Sequence, residues 1–446
     1  MKLQLPYLGT SFPLEFPDEN LLALAEPNVV AVAGSPEEIL EAALAHPSGP
    51  GSAPFQEGRS LGEFLRAGKR ILVIINDATR PTPTEAILGA LLPRMGEAGI
   101  PPEGLSFLVA AGAHRPPTEA EYRQILGSFY GELRPRCHSH DSKNEQELTG
   151  LGSTRNGTPI SLNKRLFAAD RIIVTGSVEP HYFAGFTGGR KAFLPGLAGY
   201  KTIEANHKQA LSPAARSLAL EGNPVHEDMM DALSRIDLPV FSLMTVLDRE
   251  QRVAAAAAGD IQSSFYKAVE VARSIFCVSL PEKADIVVSA AKFPMDIDLY
   301  QSQKAIDNGA LALKDGGVLI LVSSCREGIG DEAYAELLAR ADSPADALSR
   351  IRAGYRLGYH KAAKMAAVSR RAAVMAVTEL PPERLASLFI ESAPSPQEAL
   401  DEARRRARAG GVSKPRILVL PDGCVTVPVC GNSLFEPSPK SKKTPK

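Results

Sequence analysis

Two histidines and a lysine share one glycine-rich stretch, EPHYFAGFTGGRKAFLPGLAGYKTIEANH, running from Glu179 to His207. His181 and His207 are residue types that take and return protons near neutral pH or bind metals. Lys191 becomes a nucleophile when backbone and apolar groups around it strip its proton. Gly185, Gly188, Gly189, Gly196 and Gly199 crowd the same stretch. Glycine in that quantity marks close approach of the main chain to a ligand rather than regular structure, so the stretch reads as an active-site loop. His207 lies sixteen residues beyond Lys191. That is too far for a metal pair on one helix, and spacing alone is a weak sign of a ligand.

Other reactive groups stand at comparable places. Asp77, Thr79 and Arg80 follow one apolar run, and His114 and Arg115 follow the next. Arg80 carries a planar fork that suits a carboxylate or a phosphate, or else a surface ion pair. His114 is either a base or a strand-end histidine bonded to its own loop. Two imidazoles facing each other across a substrate suit a reaction that must work on both mirror faces of one carbon. Later in the chain Tyr300, Gln301 and Lys304 open a helix, with positions 300 and 304 on one face. They suit an anion or polar substrate.

The elements that must position these groups repeat one grammar. ILVIIN (71–76), LSFLVAAG (105–112) and RIIVTG (171–176) are apolar, β-branched runs of buried-strand length. Each gives way to a polar loop. Thr82, Pro83 and Glu85 then predict a capping-box helix start, as do Thr118 and Glu121. The grammar restarts with ADIVVSAA (284–291), a helix LYQSQKAIDNGALAL and GGVLILVSS (316–324). A helix over 258–276 reads as a connector. SPQEALDEARRRARAG (395–410) is a charged helix, and PRILVLPDG (415–423) a final strand. Strand, loop, helix in alternation predicts an α/β fold of two domains with parallel-type sheets flanked by helices. Ligands of such sheets bind at the carboxyl ends of the strands, which places the active site in the interdomain cleft. The expected division is 1–270 for the N-terminal domain and 271–430 for the smaller C-terminal one, with a disordered tail over 431–446.

At 446 residues, 44% hydrophobic and 23% charged, the chain has material for two cores. A net charge of −1 does not point to nucleic acid or an anionic membrane. The N-terminus lacks the apolar core of a signal peptide and no run reaches membrane-spanning length. Five scattered cysteines fit a reducing compartment, so the expected location is cytoplasmic. No phosphate loop, Cys-X-X-Cys, HEXXH, Gly-X-Ser-X-Gly or dinucleotide fingerprint occurs. RCHSHDSK (136–143) clusters Cys137, His138 and His140, yet its spacing fits no common zinc site and a polar turn is the better reading. Cys424 and Cys430 read as part of a half-buried extended segment.

These blocks together resemble the lactate racemase family, whose members use a nickel-pincer nucleotide. The resemblance runs from LPY (5–7) and FPDENLL (16–22) into the second domain. It is carried by NDATRPTP (76–83), AGAHRPPTEAE (111–121), the 179–207 stretch, GNPVHEDM (222–229) and PMDIDLYQSQKAIDN (294–308). The resemblance implies a racemase or epimerase of a 2-hydroxyacid, working by proton-coupled hydride transfer through a 2-ketoacid. Its cofactor is a pyridinium-3-thioamide-5-thiocarboxylic acid mononucleotide holding nickel. The tethering lysine falls on Lys191, the nickel-binding histidine on His207 and the acid–base histidines on His114 and His181. Asp77, Thr79 and Arg80 match the loop touching cofactor and substrate, and Gln301, Lys304 and Tyr300 match the second-domain residues that close over the site. Arg80 and Lys304 would hold the carboxylate. Cofactor-biosynthesis proteins are the implied maturation partners. The chain has no tryptophan, where some lactate-acting relatives place one; Tyr359 or another side chain covers that position. Arg190 adds a positive charge that suits a more anionic substrate, or else faces solvent or a phosphate. Two further readings stay open: a zinc-type hydrolase using His114, His181 and His207 as ligands, and a non-catalytic binder of a small anion or nucleotide.

Overall fold

The computed structural model describes residues 1–7, 9–50 and 56–431. The expected disordered tail, from residue 432 onward, lies outside the described residues. The chain divides into two compact units, one of residues 29–275 and one of residues 1–28 with 276 onward.

The first unit is built on six strands: β1 (Ile71–Asn76), β2 (Leu105–Ala110), β3 (Cys137–Ser139), β4 (Arg171–Ser177), β5 (Val240–Leu247) and β6 (Val253–Gly259). Their spatial order is β6-β5-β4-β1-β2-β3. Every pairing is parallel except β5 with β6. Both faces of β1 are covered, since Ile71 through Ile75 are all at most 1% exposed. That is why its sequence is a continuous apolar run rather than an alternation. One face packs with Leu40 and Leu44 of α1 (Pro36–Ala45), Phe64 of α2 (Leu61–Arg66), Ile87 and Leu91 of α3 (Thr84–Glu97) and Ile125 of α4 (Glu119–Leu126). The strand order reverses between β1 and β4, because the chain builds outward through β2 and β3 before returning to β4. A reversal of this kind opens a crevice at the carboxyl ends of the two strands.

The three predicted strands of this unit and the Thr118–Glu121 capping box are present as read. The other predicted box is not. α3 starts at Thr84 with Pro83 as its uncapped N-terminal neighbour. Thr82 instead donates to the Asn76 side chain at 2.8 Å and lies 3.2 Å from the Ser177 hydroxyl, tying β1 to β4 at their ends. Glu85 accepts from the Ser128 amide. Tertiary partners outcompeted the local box for both side chains.

The second unit holds β7 (Ala284–Ala290), β8 (Leu313–Val322), β9 (Ala373–Val377), β10 (Glu391–Ser392) and β11 (Ile417–Leu420). They run in the order β10-β9-β8-β7-β11, all parallel, and the strand Leu21–Leu24 adds beside β11. Residues 1–28 therefore belong to this unit, not to the N-terminal domain expected over 1–270. The reason is visible in the contacts: Leu5, Leu14 and Phe16 are buried in the same core as Ile286, Ile320 and Val419. The helix expected over 258–276 spans Ile261–Phe276 and ends at the division between units. No helix among the described residues is long and apolar enough to cross a membrane.

A buried histidine couples the first unit's stability to pH. α6 (Pro224–Leu233) is capped by the Asn223 side chain, which accepts from the amides of Val225 and His226. His226 is 3% exposed. Burial, with the Arg190 charge second, pulls its ring down to about 3. Between the unfolded value near ~6.5 and that depressed value, the unfolded chain binds a proton that the fold refuses, so stability falls as pH falls. Replacing His226 with leucine is expected to recover about 2 kcal/mol of the stability lost between about pH 7 and pH 5, read by urea unfolding at each pH. An equal acid loss in wild type and variant would refute this.

Candidate active site

Three neighbouring strands of the first unit release their chemistry at one edge. Asp77 follows β1 directly, His114 lies four residues beyond β2, and His181 four beyond β4. Asp77 is 7% exposed. Its Oδ2 lies 2.6 Å from His114 Nδ1, and its Oδ1 accepts from the Thr79 hydroxyl at 2.7 Å and the Thr79 amide at 3.2 Å. Burial opposes ionisation of Asp77, but the bonds from His114 and Thr79 and the Arg80 charge outweigh it and hold the carboxyl below its ordinary value. An ionised Asp77 accepts Nδ1–H, which leaves the lone pair of His114 on Nε2. The Asp77–His114 pair was not read from the sequence. The two residues are 37 apart, and only the β1–β2 pairing brings them together.

The glycine-rich segment crosses this edge. Two glycines are required by its course. Gly185 has φ +77°, and a Cβ there would fall 2.2 Å from the Ala219 carbonyl oxygen. Gly188 has φ +80°, and a Cβ there would fall 2.6 Å from Val178. His181 turns Nδ1 towards the amides of Ala184 at 3.2 Å and Phe183 at 3.5 Å. Its Nε2 then faces Lys191 Nζ at 3.3 Å. Lys191 is tied to the β2 loop through the backbone. Gly112 donates to the Gly196 carbonyl at 2.9 Å, and Gly196 donates to that of Lys191 at 3.0 Å.

The electrostatics of this corner disfavour ammonium. Burial, then the charges of Arg80 and Arg190, pull Lys191 well below the usual lysine value against the opposite pull of Glu179. His207 sits on α5 (Tyr200–Lys208) and is 9% exposed. Burial, with Lys191 second, takes it down to about 3, opposed by its bond to the Ile203 carbonyl. Phe183 neighbours both: its ring lies 5.5 Å from Lys191 Nζ and 5.1 Å from the His207 ring. α5 is anchored from behind. Asn206 donates to Asp228 at 2.9 Å, and Asp228 also accepts from the hydroxyls of Thr154 and Thr158. This network gives GNPVHEDM (222–229) its place in the site.

A buried amine and a buried imidazole, both biased against protonation and both near one aromatic ring, fit a group that is joined to a lysine and coordinated by a histidine. Lys191 and His207 are thus placed together, as are Asp77, Thr79 and His114. Arg80 makes no salt bridge among the described residues, yet its charge reaches both Asp77 and Lys191. Arg190 faces neither solvent nor substrate. It is 1% exposed and bonded to backbone carbonyls. The 136–143 patch is structural: Cys137 is buried, and His140 bonds the Ala198 carbonyl and Asn163. Among the described residues no three His, Cys, Asp or Glu side chains gather as a metal-holding group.

In the second unit, Tyr300, Gln301 and Lys304 open α8 (Leu299–Gly309), capped by Asp298, whose Oδ1 accepts from the Gln301 amide at 2.6 Å. Burial takes Tyr300 up to about 12, with Asp331 and Asp298 adding to it. Lys304 Nζ lies 3.1 Å from the Met295 sulfur. Lys361, missed in the sequence, joins them from α9 (Tyr359–Ser369). Its ammonium donates to the Tyr300 carbonyl and lies 3.8 Å from that ring. Burial and the charge of Lys304 pull Lys361 well down. Two lysines, Lys361 and Lys364, in the otherwise apolar run KAAKMAAV (361–368) were its local signal. Tyr359 is half-buried at the first position of α9, against Tyr355.

Known proteins of similar sequence and fold identify the family. Residues 7–217 match the lactate racemase N-terminal domain, and residues 280–429 the lactate racemase C-terminal domain. The chain is 31% identical to a lactate racemase of Lactiplantibacillus plantarum over 434 residues, covering 94% of this chain and 98% of that one. It is 31% identical to a lactate racemase of Thermoanaerobacterium thermosaccharolyticum over 353 residues, 78% of this chain and 80% of that one. The lactate racemase apoprotein structure from the latter organism superposes with a TM-score of 0.87 at 29% identity, over 96% of this chain and 100% of that chain. A Thermotoga maritima protein at 17% identity and TM-score 0.66, over 91% and 100%, shares the fold. The chain belongs to the lactate racemase family, and is an enzyme of the isomerase class.

Proposed function

We propose that this enzyme racemises or epimerises a 2-hydroxyacid through a planar 2-ketoacid, using a nickel-pincer nucleotide joined to Lys191 and coordinated by His207. The observation that carries the reading is the buried Lys191 amine set 3.3 Å from His181, with the Asp77–His114 pair at the same sheet edge. When bound, the nucleotide supplies the acceptor that takes hydride from the substrate carbon and gives it back.

The residues of the chain do the rest. His114 takes the hydroxyl proton on Nε2 as the carbon gives up its hydrogen with both electrons, leaving the flat ketoacid. His181 serves the opposite face and returns a proton to the oxygen there. Asp77 fixes the tautomer and direction of His114 and stabilises the imidazolium that forms. Thr79 holds Asp77. Arg80 takes the substrate carboxylate. The family resemblance assigns Gln301 and Lys304 to the substrate and Tyr300 to the cofactor. The product is the mirror-image alcohol, with no net redox change.

Protein co-expressed with the cofactor-biosynthesis enzymes is expected to carry a nucleotide-sized adduct on Lys191 and nickel, read by peptide mass spectrometry and metal analysis. An unmodified Lys191 with zinc bound would favour the hydrolase reading. Screening chiral 2-hydroxyacids with that protein identifies the substrate. His114→Ala and His181→Ala are each expected to lower kcat by about 10²–10⁴-fold in both directions, measured by chiral chromatography; full activity in either would sink the two-base scheme. Turnover in D2O tests the hydride route. The carbon hydrogen should be retained, and deuterium washing into that carbon would show proton abstraction instead.

A further inference from the structure

Arg190 precedes Lys191 and carries a buried charge with no carboxylate partner among the described residues. Its guanidinium donates to the carbonyls of Ala184 at 2.7 Å, Gly188 at 3.2 Å and Thr187 at 3.4 Å. It lies 4.4 Å from the centre of the Phe265 ring. Tyr266 and His226, 3.4 Å apart, complete the surroundings and supply no acid. A cation in such a place is costly and is tolerated only where backbone oxygens and an aromatic face replace water. All three carbonyls belong to the turn between His181 and Lys191. The two terminal nitrogens of the guanidinium fork hold all three at once, on a side chain that keeps its charge when buried.

We propose that Arg190 is the positioning residue for Lys191: its clamp on residues 184, 187 and 188 fixes the turn that presents the amine to His181. From that place the Arg190 charge also opposes protonation of the amine. The consequence for cofactor attachment rests on the function proposed above. The amine is faced by Arg80 and Arg190, which oppose its protonation, and by Glu179, which favours it. The His181 ring, the Phe183 ring and His207 stand around it. Burial pulls Arg190 itself down only to about 9, so it remains a cation at neutral pH.

Competitive acylation of the nucleotide-free, full-length protein with trace acetic anhydride tests this. The amine lone pair attacks one carbonyl carbon, acetate leaves and the nitrogen gives up a proton, so only the neutral amine reacts. Peptide mass spectrometry across a pH series gives a midpoint for Lys191 beside those of exposed lysines in the same digest. The wild-type midpoint is expected below all of them; a midpoint within their range overturns the proposal. In Arg190→Met the midpoint should rise by about one pH unit, a roughly tenfold loss of Lys191 acylation near neutral pH, while exposed lysines stay put. Hydrogen exchange at the amides of 184–188 should quicken in the same protein. Arg190→Lys serves if the methionine variant does not fold. A lysine buried there surrenders its proton, and the same rise is expected. An unchanged midpoint in whichever variant folds overturns the proposal, even if its thermal midpoint has dropped. Acetic anhydride needs no nickel nucleotide. A shift that depends on Arg190 in a protein that never acquires the nucleotide would therefore fail the proposed function while upholding this inference.

Discussion

Parallel pairing of Ile71–Asn76 with strands on both sides is the constraint on which the site depends. A strand flanked in the same direction by two others must end where they end. Asp77, the His114 loop and the Glu179–His207 segment are delivered to one edge for that reason alone. The order reverses at this strand, so the loops diverge there and leave room between them. Thr82 closes the gap at its base by bonding both Asn76 and Ser177. The apolar run that makes the strand is thus also what sets the spacing of the reactive groups.

The chemistry of the edge follows from burying bases without enough acid to charge them. Burial is the chief cause that pushes Lys191 and His207 towards their uncharged forms. Arg80 and Arg190 deepen the effect on Lys191 because arginine keeps its charge where lysine cannot. Asp77, a buried acid, is bonded to His114. The two acid–base candidates consequently differ: His114 is held by a carboxylate, His181 by backbone amides. An amine biased against protonation, a buried imidazole and one carboxylate-supported imidazole are three different tools made from common residue types by environment.

The second unit repeats the architecture with other residues. Its helix Leu299–Gly309 starts after a parallel strand and presents Tyr300 and Lys304 one turn apart. Lys361 is pressed on Tyr300 from the helix Tyr359–Ser369. That pairing joins positions 61 residues apart and has no local signature.

Local pattern alone determined the strands at 71–76, 105–110, 171–177, 284–290, 313–322 and 417–420, the helices at 119–126, 261–276, 299–309 and 396–409, the reactive residues at the strand ends and the family. It did not determine the strands Cys137–Ser139, read as a polar turn, Val240–Leu247, Val253–Gly259 or Ala373–Val377. Buried parallel strands must be continuous apolar runs, and a chain that brings backbone to a ligand must carry glycine. Partners were another matter. The sequence left Arg190 a candidate for substrate, phosphate or solvent, yet the fold turned it inward onto three carbonyls. Thr82 and Glu85 had the spacing of a capping box and were drawn to distant partners. Residues 1–28 joined the C-terminal unit because a strand at Leu21–Leu24 completes a sheet whose neighbouring strand lies near the other end of the chain. Periodicity is a property of neighbours along the chain and can be read there. Pairing, burial and charge state are properties of neighbours in space, and only tertiary structure decides who they are.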